Sequence, residues 1–301
     1  MTRTPRLALV LALAVTACGA DATPGADTGV DTVAEVADTT ADVGDATAEI
    51  DAVDATQAAD SGDGEVAITG CGGAPLCDDF ESVGAPDAAR WSIVSPNCSG
   101  TGQLALDGDV AHSGHHAVRV TGGGGYCNHV FLRTPLDGLV AVRAPVHARF
   151  WLRLGDALGD GHTTFIAMHD AVADKDVRIG GQSRILMWNR ESDDATLPVL
   201  SPTGIAHSKV LPVDTWVCVE LVVDGQAGTL ATWVDGEAVD GLAVDGSATP
   251  ELDEQWLRQA WHPELRSFGL GWESYAGQAL TLWFDDVAIG PDPIGCGEPA
   301  P

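Results

Sequence analysis

The chain has 301 residues, 45% of them hydrophobic, with 44 acidic against 15 basic side chains and a net charge of −29. So acidic a protein lacks the basic footprint of a nucleic-acid binder, which excludes nucleic acid as a partner. It also repels polyanions, unless a local cleft gathers arginines.

Residues 1–17 read as a signal peptide. Arg3 and Arg6 precede an apolar run from Leu7 to Val15, followed by Val15-Thr16-Ala17-Cys18. A basic start, a short apolar core and small residues at the cut are the parts of an export signal. The core is too short for a permanent membrane span. Val15 to Cys18 resembles the bacterial lipobox, which implies that Cys18 is lipidated and becomes the new N-terminus. Each buried methylene supplies about 0.8 kcal/mol, and more than one acyl chain gives stable anchoring. Gly19 after the cysteine resembles the outer-membrane sorting pattern. The expected location is therefore the outer membrane or cell surface, lipid-anchored and outside the cytoplasm. Residues 18–65 hold the lipidated cysteine and an acidic linker rich in Ala, Asp, Thr, Val and Gly, with no Lys, Arg, Leu or aromatic residue. That composition does not repay the entropy of ordering, and its charge extends it, so it reads as a disordered tether.

Residues 66–301 are long enough for one sizeable core, and a monomer is expected. Eight stretches rich in β-branched and aromatic residues predict strands: 118–120, 146–154, 165–169, 184–188, 217–223, 230–234, 268–272 and 280–289. Turn signals separate them, notably Asp224-Gly225 and Asp235-Gly236. Only Glu251 to Trp261, with Pro250 before it and Pro263 after it, reads as helical. Many short strands predict an all-β, antiparallel two-sheet sandwich or jelly roll. Beside Cys18, six cysteines remain: Cys71, Cys77, Cys98, Cys127, Cys218 and Cys296. An even number in an exported domain reads as disulfides. Cys98 with Cys127 is the favoured pair, and a link from Cys71 or Cys77 to Cys296 would close the termini.

One strand suggests function. His147, Arg149, Trp151 and Arg153 alternate with Ala148, Phe150, Leu152 and Leu154. A period of two puts the polar set on one sheet face, because burying it in the core would be costly. Gln182, Arg184 and Trp188 share one parity elsewhere, as do Cys218 and Glu220. If these strands lie in one sheet, they form a single cleft floor.

Cys77-Asp78-Asp79-Phe80-Glu81 with Trp91, His112-Ser113-Gly114 before Ala117 to Val120, Trp216 to Glu220, Trp233 to Glu237, and the closing Trp283-Phe284-Asp285-Asp286-Val287 together resemble concanavalin-A-like jelly rolls. Laminin-G-like modules and the bacterial relatives of the cellulose-induced protein and glucuronan lyase are the nearest look-alikes. The resemblance implies the fold more firmly than an activity. It implies a polysaccharide or other glycan as partner, with Trp151, Trp188, Trp233 and Trp272 as binding faces for sugar rings. The alternatives are a lyase on a uronic-acid polymer and a laminin-G-like protein-binding module. For a lyase, Arg149 and Arg184 would neutralise the carboxylate, His147 or His129 would be the base, and Tyr275 the acid; Gln182 and Glu220 complete the polar set. The resemblance also implies a structural calcium near Asp79, Glu81, Asp285 and Asp286. No organic cofactor is expected. His112, His115 and His116 read as a solvent-exposed turn.

Overall fold

The computed structural model describes residues 73–96 and 98–297. The signal peptide, Cys18, the linker and Cys71 lie outside the described residues. In chain order the strands are β1 (Leu76–Asp78), β2 (Ser92–Val94), β3 (Gln103–Asp107), β4 (Ala117–Gly122), β5 (Val130–Pro135), β6 (Val146–Leu154), β7 (Thr163–Asp170) and β8 (Lys175–Gln182). There follow β9 (Ile185–Arg190), β10 (Ala195–Leu197), β11 (Trp216–Asp224), β12 (Thr229–Val234), β13 (Glu237–Ala238), β14 (Leu265–Ser274) and β15 (Leu280–Gly290). They form two antiparallel sheets. Sheet I runs β13-β12-β11-β6-β15-β4-β3, with β1 also paired to β15; sheet II runs β10-β9-β8-β7-β14-β5-β2. This is the all-β, two-sheet jelly roll that the strand pattern predicts.

Period-two alternation builds the core. In β6, Ala148, Phe150, Leu152 and Leu154 are buried and belong to the core cluster. Phe268, Leu270 and Trp272 of β14 meet them from sheet II, and the Phe150 and Phe268 rings lie 6.4 Å apart. Burial of such apolar area is the main stabilising term. The turns follow their chemistry. Asp235 and Gly236 both adopt positive φ between β12 and β13, as a tight hairpin requires. The Asp224 carboxylate accepts the backbone N–H groups of Gln226 and Ala227 and closes the β11–β12 turn.

Three expectations are corrected here. Glu251 to Trp261 is not a helix: it is a series of turns with one 3₁₀ turn, Trp256–Arg258, and Glu251 itself has a φ of 64° that no α-helix accommodates. The one α-helical turn, Pro202–Ile205, is capped by Ser201, whose hydroxyl accepts the Gly204 N–H. Cys98 pairs with Cys127 as expected, but Cys296 pairs with Cys218 and not with Cys71 or Cys77, because the C-terminal segment turns back over β11. Cys77 is also disulfide-bonded. Finally, β8 and β9 belong to sheet II whereas β6 and β11 belong to sheet I, so Gln182 and Arg184 share no floor with His147, Arg149 and Glu220.

Candidate functional site

The outer face of sheet II gathers a buried polar cluster beneath two exposed tyrosines. In β14, Phe268, Leu270 and Trp272 point into the core, so Glu273 points out. In β8, Val177 and Ile179 point in, and Arg178 points out. His129 enters β5 on the same side. Glu273, Arg178 and His129 are all buried. A Glu273 oxygen lies 3.5 Å from His129 Nδ1 and the other lies 4.0 Å from an Arg178 nitrogen. Arg178 also pairs with Glu191 at 2.8 Å. Tyr275 and Tyr126, 47% and 37% exposed, cover this group with ring centroids 5.1 Å apart. The Arg178 guanidinium sits 5.4 Å from the centre of the Tyr275 ring. His162 stacks on Tyr275 at 5.4 Å, and its carbonyl accepts the Tyr275 N–H.

Electrostatics set the protonation states. Burial pushes Glu273 above the usual carboxylate range, and outweighs the lowering by Arg178, by the hydrogen bond from Tyr275 and by His129. Burial also pulls Arg178 down, but there the carboxylates win: Glu273, the Tyr275 hydroxyl, Glu191 and Asp176 together raise it. Several acidic neighbours together outweigh the burial of Arg178, whereas for Glu273 burial outweighs its partners. Tyr275 is raised by burial and by the Glu273 carboxylate, to which it donates a hydrogen bond, so it stays protonated at neutral pH. His162 is pulled down to about 4 by burial and by Arg178, so its imidazole is neutral at pH 7. The arrangement therefore offers one protonated hydroxyl and one neutral imidazole in stacking contact over a buried cation.

Of the residues singled out in the sequence, His129 and Tyr275 meet here. Arg178, Glu273, His162 and Tyr126 complete the cluster and were not singled out. Gln182 lies on the same outer face, at the end of β8. Arg184 does not join it: with Ser183 it forms the β8–β9 turn, both at positive φ, and it is held outward by two contacts to Asp160 at 2.9 and 3.2 Å.

His147, Arg149, Trp151, Glu220 and Trp233 share the outer face of sheet I. Glu220 stands opposite Arg149 on one side and Trp233 on the other. Their face is not an open floor. The Glu220 carboxylate accepts the N–H groups of Ile294 and Gly295, and Cys296 is bonded to Cys218 on the same strand, so the C-terminal segment is strapped across β11. His112 stacks on Trp151 with centroids 3.7 Å apart, and its Nδ1 lies 2.5 Å from Asp286. His112 is thus packed down, whereas Ser113, Gly114 and His115 of the same turn are exposed as expected. Arg149 is buried, and burial pulls both it and His147 down in pKa.

Two of the tryptophans expected to carry sugar are in the core. Trp188 is fully buried and donates its indole N–H to Thr232 across the sheets at 2.8 Å. Trp272 is fully buried against Gly122, where any Cβ would overlap the indole. β9 is buried on every residue, so its period assigns no side to Trp188, whereas in β14 Trp272 shares the parity of Phe268 and Leu270 and belongs with them in the core.

The four acidic residues assigned to a cation all border the start of the domain. The Asp79 carboxylate accepts the Glu81 N–H. Glu81 accepts the N–H groups of His115 and His116, and Asp285 those of His112 and Ser113. Asp286 accepts the Ser113 hydroxyl. Asp285 has no exposure, and burial together with the charge of Asp286 raises it to about 8. Among the described residues, no three His, Cys, Asp or Glu side chains gather at one point.

Comparison with known proteins agrees with this architecture. The chain is 44% identical to the solved cellulose-induced protein Cip1, over 74% of this chain and all of that one, with a TM-score of 0.69. An endo-β-1,4-glucuronan lyase from the fungus Trichoderma reesei is 16% identical over 73% of this chain and 99% of that one, with a TM-score of 0.48. No curated protein matches the chain. A family model described as the polysaccharide-lyase-like, Cip1-like core domain matches residues 79–292. With that match spanning most of the chain and a jelly roll to carry it, the protein belongs to the Cip1-like family of polysaccharide-lyase-like domains.

Proposed function

We propose that the chain binds a uronic-acid-containing polysaccharide on the outer face of sheet II and cleaves it by β-elimination. The observation that supports this most is the half-exposed Tyr275 ring with its hydroxyl on buried Glu273 and Arg178 beside it, and a neutral His162 stacked on it. Membership of a polysaccharide-lyase-like family supports the same reading. In the reaction, His162 accepts the C5 proton, which is acidic because it lies next to the sugar carboxylate. The C5 electrons form the C4–C5 double bond, and Tyr275 protonates the departing glycosidic oxygen at C4. Arg178 supplies positive charge near the carboxylate as it takes on enolate character. Glu273 and His129 are positioning residues: Glu273 accepts the Tyr275 hydroxyl and holds Arg178, and His129 packs under Tyr126 with ring centroids 5.0 Å apart. The test is incubation of the protein with uronic-acid polymers while recording absorbance in the unsaturated-uronate band. The reading predicts a steady rise; polymer retained without any unsaturated product would leave a binding module.

A second proposal concerns a structural calcium at Asp285 and Asp286, beside the turn that Glu81 and Ser113 pin to them. Their donors are oxygens, as a hard cation requires, and the two adjacent carboxyl groups repel when both are ionised, a cost that an ion would offset. Backbone carbonyls and water would complete its shell. We also propose that lipidated Cys18 tethers the domain to the outer membrane or cell surface. The disulfides support an extracytoplasmic location.

A further inference from the structure

The outer face of sheet I carries a second aromatic surface that borders the capped part, where His112 meets Trp216 edge-on with centroids 5.8 Å apart. Trp216 of β11 stands opposite Arg153 of β6, Arg153 stands opposite Trp283 of β15, and Trp283 stands opposite Arg119 of β4. Tryptophan and arginine thus alternate in one row over four neighbouring strands. All four point outward, since Leu152, Leu154, Val217, Leu282, Phe284, Val118 and Val120 on either side of them are core. Trp216 and Trp283 are half-buried, and the side chains of Arg153 and Arg119 are 20% and 51% exposed. The row is braced: the Arg153 guanidinium lies 4.9 Å from the centre of the Trp283 ring, and the Trp283 indole N–H donates to Asp107 at 2.8 Å. Thr121 and Thr281 stand side by side one step further along the same face.

We propose that this row binds a neutral polysaccharide whose sugars present flat C–H faces, a β-linked glucan in chemical class, laid across the strands. Two strand spacings separate Trp216 from Trp283, about 10 Å, so the two indoles reach every second unit of one extended glycan. Aromatic faces bind sugar rings by their apolar sides, and threonine hydroxyls and arginine N–H groups flank them to reach hydroxyls. Charge selects the neutral polymer. Arg119 lies 3.7 Å from Asp107 and Arg153 lies 3.0 Å from Asp214, so the row carries no net charge. The chain around it is strongly acidic, and a polyanion is repelled there.

Affinity electrophoresis of the full chain tests this, in gels containing a dissolved neutral β-glucan and, in parallel, a polyuronate. The neutral gel should retard the wild type, and Trp216→Ala/Trp283→Ala should weaken that retardation at least tenfold while cleavage of uronic-acid polymers stays unchanged. If the double variant melts early, Trp216→Ala alone is compared, with a smaller loss expected. Absence of retardation in the neutral gel, equal retardation of variant and wild type, or loss of retardation by the variant in the polyuronate gel alone would overturn the assignment. Since the readout is binding on sheet I, its failure is separable from a failure of elimination chemistry on sheet II.

Discussion

At the scale of single residues, the proposed reaction rests on Tyr275, and its neighbours set its protonation state. Tyr275→Phe removes the proton donor but keeps the ring that stacks on His162 and faces Arg178. Turnover on uronic-acid polymers should fall by about 10²- to 10⁴-fold, with the melting temperature unchanged within a degree or two. His162 gives a pH signature. Its folded-state pKa is depressed from 6.5 to about 4. Between those values the unfolded chain binds the proton and the folded chain does not, so the group's stability contribution is present above pH 6.5 and is lost as pH falls toward 4. The slope is at most about 1.4 kcal/mol per pH unit. In His162→Gln, melting temperature plotted against pH should be flatter over that range, and the acid limb of kcat/KM near pH 4 should vanish with the activity. An identical limb in wild-type and variant stability would contradict the assignment. Trp188 separates core from binding surface: Trp188→Phe should cost about 1–3 kcal/mol by leaving the buried Thr232 hydroxyl without its donor, with glycan retention unchanged. His129 and Tyr275 were legible in the sequence as chemistry-bearing types. Arg178 and Glu273 were not, although Asp176-Val177-Arg178-Ile179 alternates polar with apolar residues and could have placed Arg178 on an outer face. Their meeting depends on β8 and β14 both flanking β7, a pairing that no local pattern announces.

At the scale of elements, the strands that alternate were readable and those that do not were ambiguous. β6 shows period two and its faces came out as expected. β9 is buried on every residue, so both of its faces are apolar or covered and its parity carries no information. The C-terminal segment is the element that sequence reading missed. A disulfide joining residues 78 apart, with Glu220 accepting two backbone N–H groups, straps it over β11. Cys218→Ala/Cys296→Ala should lose about 2–5 kcal/mol of stability, measured by denaturant unfolding. The turn 112–116 is pinned between Glu81 and the Asp285–Asp286 pair. If calcium completes that junction, millimolar calcium should raise the melting temperature of protein stripped with chelator by several degrees, since a ligand that binds only the folded state stabilises it. Asp286→Ala should abolish the rise, and an unchanged melting temperature in the stripped wild type would remove the ion from the account.

At the scale of the molecule, the sandwich presents two different outer faces. Sheet II gathers Glu273, His129 and Arg178 beneath Tyr126 and Tyr275; sheet I is partly strapped and capped, and beside the cap carries an alternating tryptophan–arginine row. The fold was legible because strand length, turn chemistry and alternation all point the same way. The site was only half legible, because the two sheets divide residues that the sequence placed on one floor: His147, Arg149 and Glu220 went to sheet I, and Gln182 and His129 to sheet II. The proposed elimination chemistry lies on sheet II, and under that proposal His147 and Arg149 have packing roles. Arg149→Ala should therefore lower stability while leaving turnover per folded molecule within a few-fold of wild type. The most direct measurement is the absorbance of unsaturated uronate released from uronic-acid polymers by the full chain, run beside Tyr275→Phe. The account predicts a linear rise with the wild type and a rate at least a hundredfold lower with the variant; equal rates from the two proteins, or no unsaturated product from the folded wild type on any such polymer, would contradict it.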